Sequence, residues 1–583
     1  MLEYMSDNRR RPIDWWERRI LEKNGCRSAD WSRVRICDGT DLNAIRNVEF
    51  VGAVSIGLTG GEHGALIENV RLENVIIANH ATIRNIHNRI SNCKIGRHAR
   101  IENVGTIEFE PEATCGVGTD VCVLDETGSR SVTIYPGLSV QTAMLMARMP
   151  KWKERHFSPI LEEYIENFDV RHEIGEHSVV ENTGTLRNVV VGREVHVSGA
   201  KSLTDGMIIN NAAPGRSLAR VGTGVDAANF IIEDGVADSG AIIRNCYIGQ
   251  GAIIEKGFTA HDSLFFANCS LENGEACALF AGPYTVSMHK STLLIGCQTS
   301  FMNAGSGTNQ SNHMYKLGPV HWGILERGVK TSSASYLMLG AKIGAFSLLM
   351  GQHKTHPDSS QFPFSYLFGD EKGATVVVPG AMLRSCGLLR DQQKWPTRDR
   401  RLKRKLPMHD RIIFDVLNPT TVDKMLSASV VIEKLLSMPP DDDRYLRYKG
   451  MKFTRAALER AKYLYALAIF KYLHTRLGDE PFPDKEDDSF SEWVDLGGLP
   501  LTRETLQHAL EADSIESMEA IFDKAYDNYN QLEKSWISSR FEEKWHKSPE
   551  VVAEYSSEFD RMIEEDRARY LEDLNAQNEM LAL

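Results

Sequence analysis

The chain is predicted to be mainly β: a parallel β-helix of six-residue repeats, interrupted by an inserted helix and followed by an all-α domain. Three observations predict this. Residues 72–89 (LENVIIANHATIRNIHNR) and 90–107 (ISNCKIGRHARIENVGTI) superpose position by position. Within that period of eighteen an aliphatic recurs every six residues, at Ile77, Ile83, Ile95 and Ile101. Beyond Asp410 the six-period gives way to three- and four-residue spacing, the signature of a helix.

A six-residue period suits a coil of three short strands, each turning a corner after one aliphatic has pointed inward. Stacking such coils buries a continuous ladder that no single coil could bury alone. Small residues such as Ala78, Ala81, Gly96 and Ala99 fill the tight places. Asn74, Asn85, Asn92 and Asn103 are read as corner residues, because Asn tolerates the left-handed region and bonds its own backbone. His80 and His98 share one repeat position and are read as exposed strand residues. Cys93 and Cys246 take the slot that holds Val75 in a sister phrase, so each is expected to serve as a small inward hydrophobe.

The phrase recurs at 117–123, 174–180, 191–197, 248–254, 339–345 and 378–383. Here the sequence resembles the hexapeptide-repeat transferase superfamily, over roughly residues 50 to 390 with interruptions. The resemblance implies a left-handed coil, a homotrimer, and acyl transfer from a coenzyme A thioester to a phosphorylated sugar or sugar nucleotide. The layout is also similar to a bacterial family of long hexapeptide-repeat proteins with helical C-terminal extensions, which carries no established activity.

The expected divisions are an N-terminal segment (1–49), a first β-helix section (50–139), a helical insertion (140–171), a second β-helix section (172–390), a basic connector (391–409) and a helical domain (410–583). Val140, Met144, Met146, Trp152, Leu161 and Tyr164 mark the insertion, expected to cap an edge or pack on a neighbouring subunit. Ala457 to Leu477 is strongly helical, Ser548-Pro549 opens another helix, and Asp513 with Glu516 resembles a capping box.

A net charge of −12 argues against binding nucleic acid through overall electrostatics. No apolar run reaches the length of a membrane span. The N-terminus lacks a signal core, and ten cysteines without a CxxC pair suit a reducing compartment, so a cytoplasmic protein is expected.

Chemistry is expected between residues 289 and 356. Asn303, Asn309, Gln310, Asn312, Lys316, His321 and Lys354 suit a polar anionic ligand, and His313, His353 and His356 are the candidate bases. A neutral imidazole suits proton removal from an acceptor hydroxyl or amine. Two alternatives stand beside acyl transfer. One is a three-histidine metal enzyme resembling the hexapeptide-fold carbonic anhydrases, built from His353, His356 and either His313 or His321. The other is a non-catalytic binding or scaffold protein. Two further features call for an explanation. Phe362, Phe364, Tyr366 and Phe368 alternate as a core, an interface or a lid. The basic run from Arg390 to Lys405 is either a phosphate site or a solvated connector.

Overall fold

In the computed structural model the chain is a parallel β-solenoid of about 18 turns with a helical C-terminal region. The structure describes residues 10–60, 64–311, 321–439, 444–483 and 491–581. One inward ladder runs almost the whole length of the solenoid. It begins Ile45, Ile67, Ile83, Ile101, Val180, Val197, Val221, Ala237, Ile254, Leu271. It continues through Ser287 and Ala304 to Thr331, Leu349 and Leu367. Cys93 and Cys246 are buried as expected, and burial alone pushes the Cys93 thiol up to about 12.

The corners explain the asparagines. Asn47, Asn69, Asn85, Asn103 and Asn182 all have φ between 51° and 55°. Each amide donates to the next carbonyl in line, at 3.1, 2.9, 3.2 and 3.2 Å. Asn pays less than most side chains for the left-handed conformation, and the amide stack returns hydrogen bonds for it. His80 and His98 are also corner residues rather than strand residues, with φ of 62° and 55°. Their rings stack at 5.2 Å, and His177 continues the column at 4.9 Å.

The insertion leaves the ladder intact. Lys94 and Ile95 pair directly with Glu173 and Ile174, and Ile107 pairs with Leu186. The excursion therefore begins just after Glu108, earlier than the loss of the six-period suggests. The phrase at 117–123, read as a coil, instead contributes Asp120–Cys122 to an antiparallel hairpin with Ser131–Thr133. The helix Val140–Arg148 follows. It is buried by this chain's own C-terminal region: Val140 N donates to Asp410 at 2.7 Å, and Gln141 Nε2 donates to the carbonyls of Arg411 and Leu496.

Both solenoid ends are covered. At the start, Arg10–Pro12 pairs antiparallel with Arg35–Cys37, and the helix Trp15–Lys23 buries Leu21. At the far end, Thr375–Val378 turns back antiparallel on Tyr366–Gly369. The helix Arg455–Leu477 then packs there, with Tyr465 Oη donating to Pro363 O at 2.8 Å. The capping box expected at Asp513 sits one residue later, between Ser514 and Ser517. Helix Pro549–Leu581 opens at the expected Pro.

Two arginines of the basic run are structural, while Arg390, Arg398, Lys403 and Lys405 are exposed. Arg401 is fully buried in an ion pair with Asp399 at 2.8 Å. Arg400 donates to Gly251 O at 2.6 Å and to Ser270 at 2.9 Å. These arginines pin the connector across the solenoid wall.

Candidate functional site

The amides and histidines singled out in the sequence do not converge on one surface. Gln310 and His353 occupy inward slots of a single ladder, in the order Leu294, Gln310, Leu337, His353. His353 is inaccessible to solvent; its Nδ1 lies 2.9 Å from Thr375 Oγ1, and its Nε2 has no partner. Burial lowers its pKa to about 4. A ring inside the solenoid cannot take a proton from a ligand in an external groove. Both amide atoms of Gln310 are buried without partners.

The remaining residues of that set point elsewhere. Asn303, Lys354 and His356 are exposed, and Asn309 is half-buried. His321 is half-buried near Asp125, whose carboxylate burial would raise but hydrogen bonds from Ser129 and Thr127 hold below the usual range. Asn312, His313 and Lys316 lie outside the described residues. His353 and His356 therefore do not share a face, and no group of three metal-ligating side chains is found among the described residues.

Phe362 and Phe364 are buried, while Tyr366 is half-buried and Phe368 exposed, so they form no lid. Phe364 belongs to an aromatic corner with Tyr284, Phe301 and Phe346, all at positive φ. Gly328 holds the same corner position between Phe301 and Phe346, where an added Cβ would come within 2.2 Å of the Phe346 ring.

A different arrangement collects unpartnered polar groups. A cleft of about 200 Å³ opens where four stretches meet: the end of helix Val140–Arg148, the solenoid wall at Gln298, Ser300, Glu326, Arg327 and Ala345, the start of helix Pro419–Leu436, and the hairpin Trp493–Thr502. Arg148 is the last residue of its helix, with its side chain in reach of water and its Nε donating to Gln298 Oε1 at 2.7 Å. Its two terminal nitrogens meet no acceptor among the described residues. The depth of the site lowers its pKa, with Glu326 and Asp495 opposing that shift.

Arg327 lies across the Phe301 ring at 4.4 Å, 3.6 Å from Asp495, and its Nε is unpartnered. Burial lowers this guanidinium too. Lys424 pairs with Glu326, whose same oxygen accepts from Ala345 N at 3.1 Å. The indole N–H of Trp493 and Asp495 Oδ2 are buried without hydrogen-bond partners. Three cations thus face two carboxylates, and the surplus charge falls at Arg148.

Nothing in the sequence announces this cleft. Its walls come from positions hundreds of residues apart, each unremarkable in its own segment.

Residues 11–436 match the family described as Domain of unknown function (DUF4954), and the chain belongs to that family. No curated protein matches the chain.

Proposed function

We propose that this DUF4954 protein binds a small anionic metabolite in the Arg148 cleft. The observation that supports this reading is Arg148 itself: a guanidinium open to water at the cleft, with Nε held by Gln298 and no ion pair to the described residues. A carboxylate or phosphate there would accept from Arg148 in the two-pronged geometry that guanidinium favours. The Trp493 indole and the free Nε of Arg327 are further donors with nothing to bond.

Volume narrows the ligand. About 200 Å³ is the room of roughly seven water molecules. It is smaller than the ~300–1,000 Å³ of sites that enclose drug-sized ligands. A short phosphorylated sugar or a dicarboxylate suits both charge and size. A sugar nucleotide or a coenzyme A thioester would have to keep most of its length outside.

Acyl transfer and trimeric assembly, which the hexapeptide resemblance implies, extend this reading. Asp495 Oδ2, buried without a hydrogen bond and 3.6 Å from an Arg327 nitrogen, would be the proton acceptor for a bound hydroxyl. Turnover of acetyl-coenzyme A with a sugar phosphate, abolished in Asp495→Asn, would support the first extension. Light scattering at micromolar concentration addresses the second, and a monomer there removes any site shared between subunits.

The binding test is calorimetry with inorganic phosphate, malonate and glyceraldehyde 3-phosphate against wild type and Arg148→Gln. Wild type should bind at least one of them and Arg148→Gln none, with both melting alike in the absence of ligand. Saturation at a hundredfold excess over Kd should stabilise the wild type by about 2.7 kcal/mol. Equal binding by the two proteins would move the site elsewhere.

A further inference from the structure

Two tryptophans break the rule that the other seven obey. Trp15 and Trp16 are 60% and 70% exposed, whereas the remaining seven are buried or half-buried. Both stand on the helix Trp15–Lys23, which covers the first coil, and Ile20 on that helix is 40% exposed. Leu21, on the opposite side, is fully buried, so the helix is anchored by one face and offers the other. The two indoles touch edge to face at 4.6 Å, and the Arg19 guanidinium lies 5.5 Å from the Trp15 ring.

The charge around them is opposite in sign to that of the chain. Residues 10–35 hold eight Arg and Lys against four Asp and Glu, a local net of +4 in a protein of net −12. Some of these cations are committed: Arg11 pairs with Glu17 and Asp38, and Arg18 with Glu22. Lys23, Arg33 and Arg35 are exposed and form no ion pair with the described residues.

We infer that this end of the solenoid is a docking surface for an anionic lipid bilayer, with Trp15, Trp16 and Ile20 entering the headgroup region and the surrounding Arg and Lys facing lipid phosphates. Indole rings settle at the boundary between water and hydrocarbon, and basic residues beside them add attraction to anionic headgroups. A second protein fits the patch less well. Three apolar side chains on one helix, ringed by charge, fall far short of the ~800 Å² per partner that a stable interface buries. No helix among the described residues is long and apolar enough to cross a membrane, so the contact is peripheral. Because the rest of the chain is acidic, attachment holds the long axis away from the bilayer rather than along it.

Co-sedimentation of the full chain with vesicles tests this, using phosphatidylcholine alone and phosphatidylcholine mixed with phosphatidylglycerol. Wild type should bind the mixed vesicles at low salt, release at high salt, and show a blue shift of tryptophan emission on binding. Trp15→Ala/Trp16→Ala and, separately, Arg19→Glu/Lys23→Glu should each weaken binding at least tenfold while melting like wild type. Failure of the wild type to bind the anionic vesicles overturns the inference, as does binding by both double variants as tight as that of wild type. So does self-association that the tryptophan variant abolishes without any vesicle binding, because the patch would then belong to a second copy.

Discussion

The first coils and the last coils of the solenoid follow the same backbone path but fill it differently. Between Ile45 and Ile101 the inward ladder is wholly Ile, and the amide column from Asn47 to Asn103 lines one corner. Between Thr285 and His353 the interior admits Ser287, Thr299, Gln310, Thr331 and His353, and one corner is an aromatic stack. The early coils face mostly solvent and hold themselves together. The late coils are braced from outside by the insertion and the C-terminal helices, through bonds such as Arg327 to Gly498 O and Tyr465 to Pro363 O. A stretch braced externally tolerates interior polarity that a free-standing one does not. That is the lesson of the difference.

The largest effect that sharpens this contrast is expected in the apolar part of the lumen. Cys246→Asp places a carboxylate in a fully buried slot between Phe230 and Ser263, where no cation pairs with it, and should cost about 4 kcal/mol or prevent folding. Wild-type-like melting of that variant would show that the wall can open there.

Next comes the pH dependence of the late coils. His353 is held at about 4, below its ordinary 6.5, by burial. The unfolded chain therefore binds more protons between these values, so the stability this group contributes is complete above pH 6.5 and falls away as pH drops toward 4. At 1.36 kcal/mol per unit the loss is about 3 kcal/mol. Comparing melting of wild type and His353→Leu from pH 7 to pH 4 isolates it. A constant difference across that range would mean that the ring is solvated after all. His409 acts with the opposite sign: burial lowers its pKa, but Glu233, 3.1 Å away, outweighs that and raises it. Its contribution is present below pH 6.5 and is lost as pH rises through the elevated value.

A smaller gain is expected from Gln310→Leu, which removes two unpartnered amide atoms from a slot between Leu294 and Leu337. Stability should rise by about 1–2 kcal/mol. Destabilisation instead would reveal a buried water bonded to that amide.

The smallest effect belongs to the early corners. Asn85→Ala should cost about 1 kcal/mol, through the left-handed backbone and two lost amide bonds, and Asn85→Gly less. Equal costs for the two variants would assign the whole effect to the hydrogen bonds.

The fold was legible because the repeat writes its period into adjacent residues: Ile83 and Ile101, eighteen apart, are also neighbours in space. The same local pattern misled at 117–123, since alternation of Val with polar residues serves an antiparallel hairpin equally well. In the sequence Gln310 and His353 resemble surface chemistry, because the six-residue register cannot be counted from one to the other. Leu294, Gln310, Leu337 and His353 are spaced unevenly, although they stack one above another. The Arg148 cleft was illegible for a deeper reason. Periodicity encodes which coil follows which, but not which distant helix lies against the wall.

The intact ladder across the insertion also sets an order of synthesis. Coils from residue 173 onward can zip onto Lys94 and Ile95 as soon as they leave the ribosome. The helix Val140–Arg148 meets Arg130 and Gln298 early, through Ala147 O and Arg148 Nε, but its N-terminal half must wait. Ser139 and Thr142 wait for Glu519, Gln141 for Leu496, and Trp152 for Leu510. An apolar segment made in the first quarter of translation thus stays only partly sheltered until nearly the last. A chain ending after the final coil would carry a finished solenoid with the polar bonds of Ser139, Gln141 and Thr142 unmade, a product exposed to aggregation and to quality control.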